Sequence, residues 1–113
     1  MIKEDVGKDK LPLKAVNLAN LVSYQKDAIV SHTVIDNDAG SITVFAFDKG
    51  QGLNEHKAPY DALIYILEGE ASVTISDNLF RLEIGQMVTL PGNTPHSVRA
   101  SNRFKMLLVL IRS

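Results

Sequence analysis

The chain has no cysteine and no tryptophan among its 113 residues. Without cysteine there is no disulfide, no zinc–thiolate site, no thiol nucleophile and no thiol redox switch. A small fold without such staples depends on its hydrophobic core or on self-association. An excess of charge of one sign is also missing. The 12 Lys and Arg and 13 Asp and Glu leave a formal net charge of -1 and are scattered along the chain. No basic stripe is available to neutralise phosphates, so nucleic-acid binding is not expected. Long apolar runs are lacking too. The unbroken run near the C-terminus, Met106 to Ile111, is far too short to span a bilayer. The first residues are charged and lack the apolar core of a secretory signal, so a soluble cytoplasmic protein with no membrane partner is expected. Amphipathic helices, internal repeats and low-complexity tracts are absent from the pattern.

What remains is an apolar fraction of 45% in a chain long enough for one domain and one core. Residues 1–22 read as an N-terminal arm. Its first twelve positions are rich in charge, and Pro12 would interrupt a helix. Asn17 is placed to cap a short helical turn through Asn20-Leu21-Val22. Residues 23–113 read as a single β domain. Ala28 to Ile35 and Ser41 to Phe47 are strand-like and flank the turn formers Asp36-Asn37-Asp38-Ala39-Gly40, which predicts a hairpin. Ala62 to Leu67 leads into Glu68-Gly69, read as a turn, and Ala71 to Ile75 resumes as strand. Asp77-Asn78 predicts a second hairpin turn, and Phe80 to Ile84 alternates apolar and charged residues as a half-buried strand does. Met87 to Leu90, Ser97 to Ala100 and Phe104 to Ile111 complete a set of short strands separated by Gly, Pro and Asn turns. Such spacing points to a sandwich or small barrel. The runs 63–67 and 106–111 do not alternate, so their second face is expected to be covered. A homodimer is the expected cover, with an intramolecular second sheet or the N-terminal arm as the alternative.

Two histidines stand out. His56 follows Gly50-Gln51-Gly52-Leu53-Asn54-Glu55, and His96 follows Gly85-Gln86-Met87-Val88-Thr89-Leu90-Pro91-Gly92-Asn93-Thr94-Pro95. This arrangement resembles the cupin family. Its first motif runs Gly, five residues, His-x-His, a Glu and a Gly seven after it. Gly50, His56 and Gly69 match, while Ala58 and Ala62 stand at the second His and the Glu. Its second motif runs Gly, five residues, Pro-x-Gly, two residues, His, three residues, Asn. Gly85, Pro91 and His96 match, while Asn93 and Ala100 replace the Gly and the Asn.

The resemblance implies an all-β fold, the double-stranded β-helix or jelly-roll barrel, with a pocket at one mouth. In metal-bearing relatives three His and one Glu converge there on a divalent ion, and iron, manganese, nickel or zinc suits such ligands. Here only His56 and His96 of that set remain as candidate metal ligands. Asp61, one position from the Glu site, would need a register shift, because a one-residue offset on a strand reverses its face. The leading expectation is therefore a small-molecule-binding domain without a tightly held metal. Its pocket would be lined by His56, His96, Ala58, Ala62 and Tyr60, and its ligand would be small, organic and partly apolar. One alternative is a cupin enzyme of dioxygenase, isomerase or decarboxylase type working through His56 and His96, with a metal or by acid–base chemistry. The other is a structural or partner-binding barrel. His32, between Ser31 and Thr33, is expected to be exposed or structural. Glu55 and Lys57 should form a solvated pair, and Phe45, Phe47, Tyr65 and Phe104 are expected in the core.

Overall fold

The computed structural model describes residues 2–5 and 13–112. Nine strands follow in chain order: β1 (Ile2–Asp5), β2 (Ile29–Asn37), β3 (Gly40–Phe47), β4 (Gly52–His56), β5 (Asp61–Ile75), β6 (Asn78–Glu83), β7 (Met87–Leu90), β8 (His96–Arg99) and β9 (Phe104–Ile111). The only helical element among the described residues is a 3-10 turn, Leu18–Leu21. It begins after Asn17 as the sequence suggests, but Asn17 contributes its carbonyl to Asn20 N–H and makes no side-chain cap. The remainder of the first twelve positions, Pro12 included, lies outside the described residues. No described helix is long and apolar enough to cross a membrane.

The architecture turns on β5, which is 15 residues long. Its first half pairs with β7 and β9, and its second half with β6 and β8. One sheet therefore runs β1-β2-β3-β9-β5-β7, and the other runs β6-β5-β8-β4. Glu68-Gly69, read from the sequence as a turn, instead continues β5: the register shifts just before it, between Ile66 and Glu68, and past Gly69 the strand passes from one sheet into the other. Gly69 has a φ of +75°, and a Cβ there would run into the Arg103 carbonyl and approach Phe104. A strand that changes partners must bend, and only glycine takes this conformation beside a neighbour so near. Both expected hairpins form, with tighter turns than the sequence suggested: Asp38-Ala39 in the first, and Ser76-Asp77 in the second, where Asn78 already opens β6.

Alternation sorts the strands into two faces. Inward lie Ile29, Phe45, Phe47, Ile64, Ile66, Val73, Val98, Phe104 and Met106, which form the main core. The Phe47 and Phe104 rings stack at 4.5 Å. Outward from the first sheet lie Val30, Val44 and Ala46, closed over by Leu18, Leu21, Val22 and Tyr24. The N-terminal segment thus covers part of the second face. The Tyr24 hydroxyl donates to Glu68 Oε1 at 2.6 Å, and the Lys105 ammonium donates to the Ala19 carbonyl at 2.7 Å. Asp48, which accepts from Arg103 Nε and from Asp27 N–H, is held below the usual carboxylate range chiefly by that guanidinium.

The two apolar runs are not buried on both faces along their length. Ile64 and Ile66 are sealed inside, while Leu63, Tyr65 and Leu67 are half-buried on the outer side. In β9, Met106 is buried, positions 107–110 are half-buried and Ile111 is exposed. His32 pairs with Val44 on the outer face and is 8% exposed, with no hydrogen-bond partner at either ring nitrogen. It is structural rather than exposed.

Candidate functional site

Strand β4 ends at His56 and β8 begins at His96. The two strands are antiparallel, so the register sets these residues directly opposite one another. The glycine-rich entry to β4 and the Pro91–Pro95 loop before β8 bring them there from positions forty residues apart. Ile75 is the next cross-strand neighbour of His96. The His56 and His96 Nε2 atoms lie 3.1 Å apart, with ring centroids at 4.3 Å and planes inclined by 66°.

Each imidazole is held from behind by its own strand or loop. His56 Nδ1 lies 2.8 Å from the Asn54 carbonyl and His96 Nδ1 lies 3.1 Å from the Thr94 carbonyl. A carbonyl only accepts, so both Nδ1 atoms carry hydrogen. In a neutral ring the proton is then spent, and Nε2 is a bare lone pair. Two bare lone pairs facing one another at 3.1 Å repel. A proton or another electron-pair acceptor between them removes that repulsion. His56 is exposed and His96 is half-buried. Burial pushes the pKa of His96 down, the Thr94 carbonyl pushes it up and the charge of His56 pushes it down, with a lowered value as the result.

A metal can be tested against this donor set. Two Nε2–metal bonds of about 2.1 Å span a nitrogen–nitrogen distance of roughly 3 Å, so the pair has a suitable bite. No group of three or more His, Cys, Asp or Glu side chains placed to hold a metal ion occurs among the described residues. Asp61 is turned to the Pro91 loop, where its Oδ1 accepts from Gly92 N–H at 2.8 Å. Two imidazoles fall short of the three protein ligands of an open metal site, and the residues do not fit a retained metal centre.

The other residues expected at the pocket are dispersed. Ala58 is half-buried in the loop after β4, where its carbonyl accepts from Asn93 N–H, and Tyr60 is exposed in the same loop. Ala62, on β5, packs against the main core. It also contributes to a 550 Å³ cavity with Asp61, Leu63, Thr89, Leu90, Pro91, Val109 and Ile111. Neither histidine lines that cavity. Its outward walls, Leu63, Thr89 and Val109, share the face opposite the main core. Glu55 and Lys57 are exposed, as is His56 between them. The sequence did not disclose the tautomer-fixing carbonyls of Asn54 and Thr94. Their common spacing, two residues before each histidine, is the one signal available.

These features define a class: a two-sheet jelly roll in which a glycine-led strand and a proline-led loop set two imidazoles against each other. The cupin domain family model matches residues 43–111, and the chain belongs to the cupin family. It is 35% identical to a conserved protein of unknown function from Streptococcus pyogenes, over 91% of this chain and 90% of that one, with a TM-score of 0.86. A cupin superfamily protein from Desulfitobacterium hafniense is 26% identical, over 94% of this chain and 97% of that one, with a TM-score of 0.87. A cupin 2 conserved barrel domain protein from Leptotrichia buccalis is 39% identical with a TM-score of 0.82; the match covers 85% of this chain but 47% of that protein. Among curated proteins none matches.

Proposed function

We propose that this cupin binds a small organic acid or enol, and that the His56–His96 pair is the polar anchor. The observation that supports this is the 3.1 Å approach of two Nε2 atoms whose Nδ1 positions are both committed to carbonyls. Such a pair takes up one proton between its rings and resists a second, because two cationic rings at that distance repel. The ligand's conjugate base binds beside the single positive charge, and the proton that creates that charge is drawn from solvent. Burial lowers the pKa of His96, which favours its Nε2 as an acceptor. The exposure of His56 leaves the pair open to an incoming ligand.

The test is a thermal-shift and calorimetric screen of small carboxylic acids and enols against the parent and His56→Ala. The reading expects a stabilising ligand whose binding is accompanied by proton uptake and is lost in the variant. Equal binding by parent and variant would refute it. The same pair also supports a catalytic reading, in which it shuttles a proton on the bound molecule as general acid and base. The favouring observation is again that the two Nε2 atoms stand close enough to pass one proton between them. Turnover that survives His96→Gln would remove that reading.

A further inference from the structure

The two imidazoles are braced differently. His56 Nδ1 rests on the Asn54 carbonyl, which belongs to the same strand, β4. His96 Nδ1 rests on the Thr94 carbonyl, which belongs to the loop between β7 and β8. Pairing of β8 fixes the backbone of His96 against His56 and Ile75. It does not fix where the Thr94 carbonyl stands, and so it does not fix the ring. That depends on what holds residues 91–95.

Three hydrogen bonds hold them. The Pro95 carbonyl accepts from Ser76 N–H at 2.9 Å, in the turn after β5. Asn93 N–H donates to the Ala58 carbonyl at 2.6 Å, in the connection between β4 and β5. Gly92 N–H donates to Asp61 Oδ1 at 2.8 Å. Of these three partners only Asp61 belongs to a strand. It opens β5 opposite Ile111, and its neighbour Ala62 is paired with both Leu90 and Leu110. Its bond to the loop is also the one with a carboxylate acceptor, and such bonds are stronger than those between neutral groups. Asn93 has a φ of +62°, a conformation that Asn tolerates better than most residues. With that turn the consecutive amides of Gly92 and Asn93 both reach the β4–β5 side. The approach is close, since a Cβ on Gly92 would lie 3.2 Å from the Pro59 carbonyl. Within the loop, Thr94 Oγ1 faces the Gly92 carbonyl at 3.5 Å.

We propose that Asp61 is the positioning residue of the histidine pair. Through Gly92 it anchors the Pro91–Pro95 loop to the first sheet, so that the Thr94 carbonyl keeps His96 in the Nδ1–H form with Nε2 toward His56. The proposal rests on the reading of that pair as the anchor of the site, and it gives the carboxylate at 61 a task other than metal ligation. His56, braced within its own strand, does not depend on Asp61 for its tautomer.

Nitrogen-15 NMR of the histidine rings, with amide hydrogen exchange, tests this on the full chain without added ligand. The pH is held at about 8, above the ordinary imidazole range. In Asp61→Ala the Gly92 amide should exchange about tenfold faster or more. The Nδ1–H fraction of His96 should fall by roughly half as the ring reaches its other tautomer, while His56 keeps its Nδ1–H signal. Asp61→Asn retains Oδ1 as an acceptor and should return both readings close to the parent. Asp61 is exposed, so neither variant opens the core. A Gly92 amide or a His96 tautomer indifferent to Asp61→Ala overturns the proposal. So does an Asn variant that behaves like the Ala variant, or a loosening that moves His56 as far as His96. With no ligand in the sample, the expected ring signals beside a failed ligand screen would refute the binding reading and leave the role of Asp61 standing.

Discussion

The Tyr24 hydroxyl donates to Glu68 Oε1 at 2.6 Å across 44 residues of chain, and that bond ties the N-terminal segment to the bend of β5. Arg103 and Lys105 both stand 5.1 Å from the centre of the Tyr24 ring. Burial pushes the phenol's pKa up strongly, and the bond to Glu68 adds to that. Tyr24→Phe keeps the ring and its cations and removes the hydroxyl. Hydrogen bonds to charged groups contribute about 1.5–3 kcal/mol. The partly solvated setting places the expected loss near the lower end. Denaturant unfolding should show a lower midpoint with an unchanged slope.

Gly69 tests the architecture. Gly69→Ala puts a Cβ at a φ of +75° against the Arg103 carbonyl. Strain of this kind costs about 1–3 kcal/mol, and the close backbone contact adds to it. The variant should melt several degrees lower. Gly85→Ala makes a comparison, since it has a φ of +84° but nothing within 4 Å of an added Cβ. It should lose less, and the difference isolates the close approach.

The lowered pKa of His96 makes stability depend on pH with a definite sign. The unfolded ring binds protons at about its ordinary value of 6.5, and the folded ring binds them at a lower pH. Between the two the unfolded state holds more protons, so stability rises with pH. The contribution is complete above pH 6.5 and is lost as the pH falls through the depressed value. Melting temperatures followed from pH 7.5 downward should fall more steeply in the parent than in His96→Gln. Parallel curves would contradict the assignment.

Much of the fold was legible because turn chemistry punctuates it. The hairpins at Asn37–Gly40 and Ile75–Asn78 lie where Gly, Asp and Asn put them, and the strand Phe104–Ile111 lies where an apolar run put it. Glu68-Gly69 misled because glycine at positive φ serves a turn and a bend in a continuous strand equally well. The strand Gly52–His56 was obscured by its own polar residues, since its outward side chains face water. For the site, spacing brought His56 and His96 forward, and register placed them together. What could not be read was the backbone behind them. The Asn54 and Thr94 carbonyls that fix both tautomers are common to every residue and leave no mark on side-chain identity. The outer cavity was hidden for a related reason: a run of apolar residues does not say which of its faces the chain's own N-terminal segment reaches.

The central claim is that two imidazoles whose Nδ1 positions are already protonated turn bare Nε2 lone pairs toward each other. Nitrogen-15 NMR of the histidine rings tests it directly. The account predicts that His56 and His96 both show protonated Nδ1 signals hydrogen-bonded to carbonyls. It further predicts that replacing either histidine changes the Nε2 signal of the other. Two rings in the Nε2–H tautomer, each indifferent to loss of the other, would contradict it.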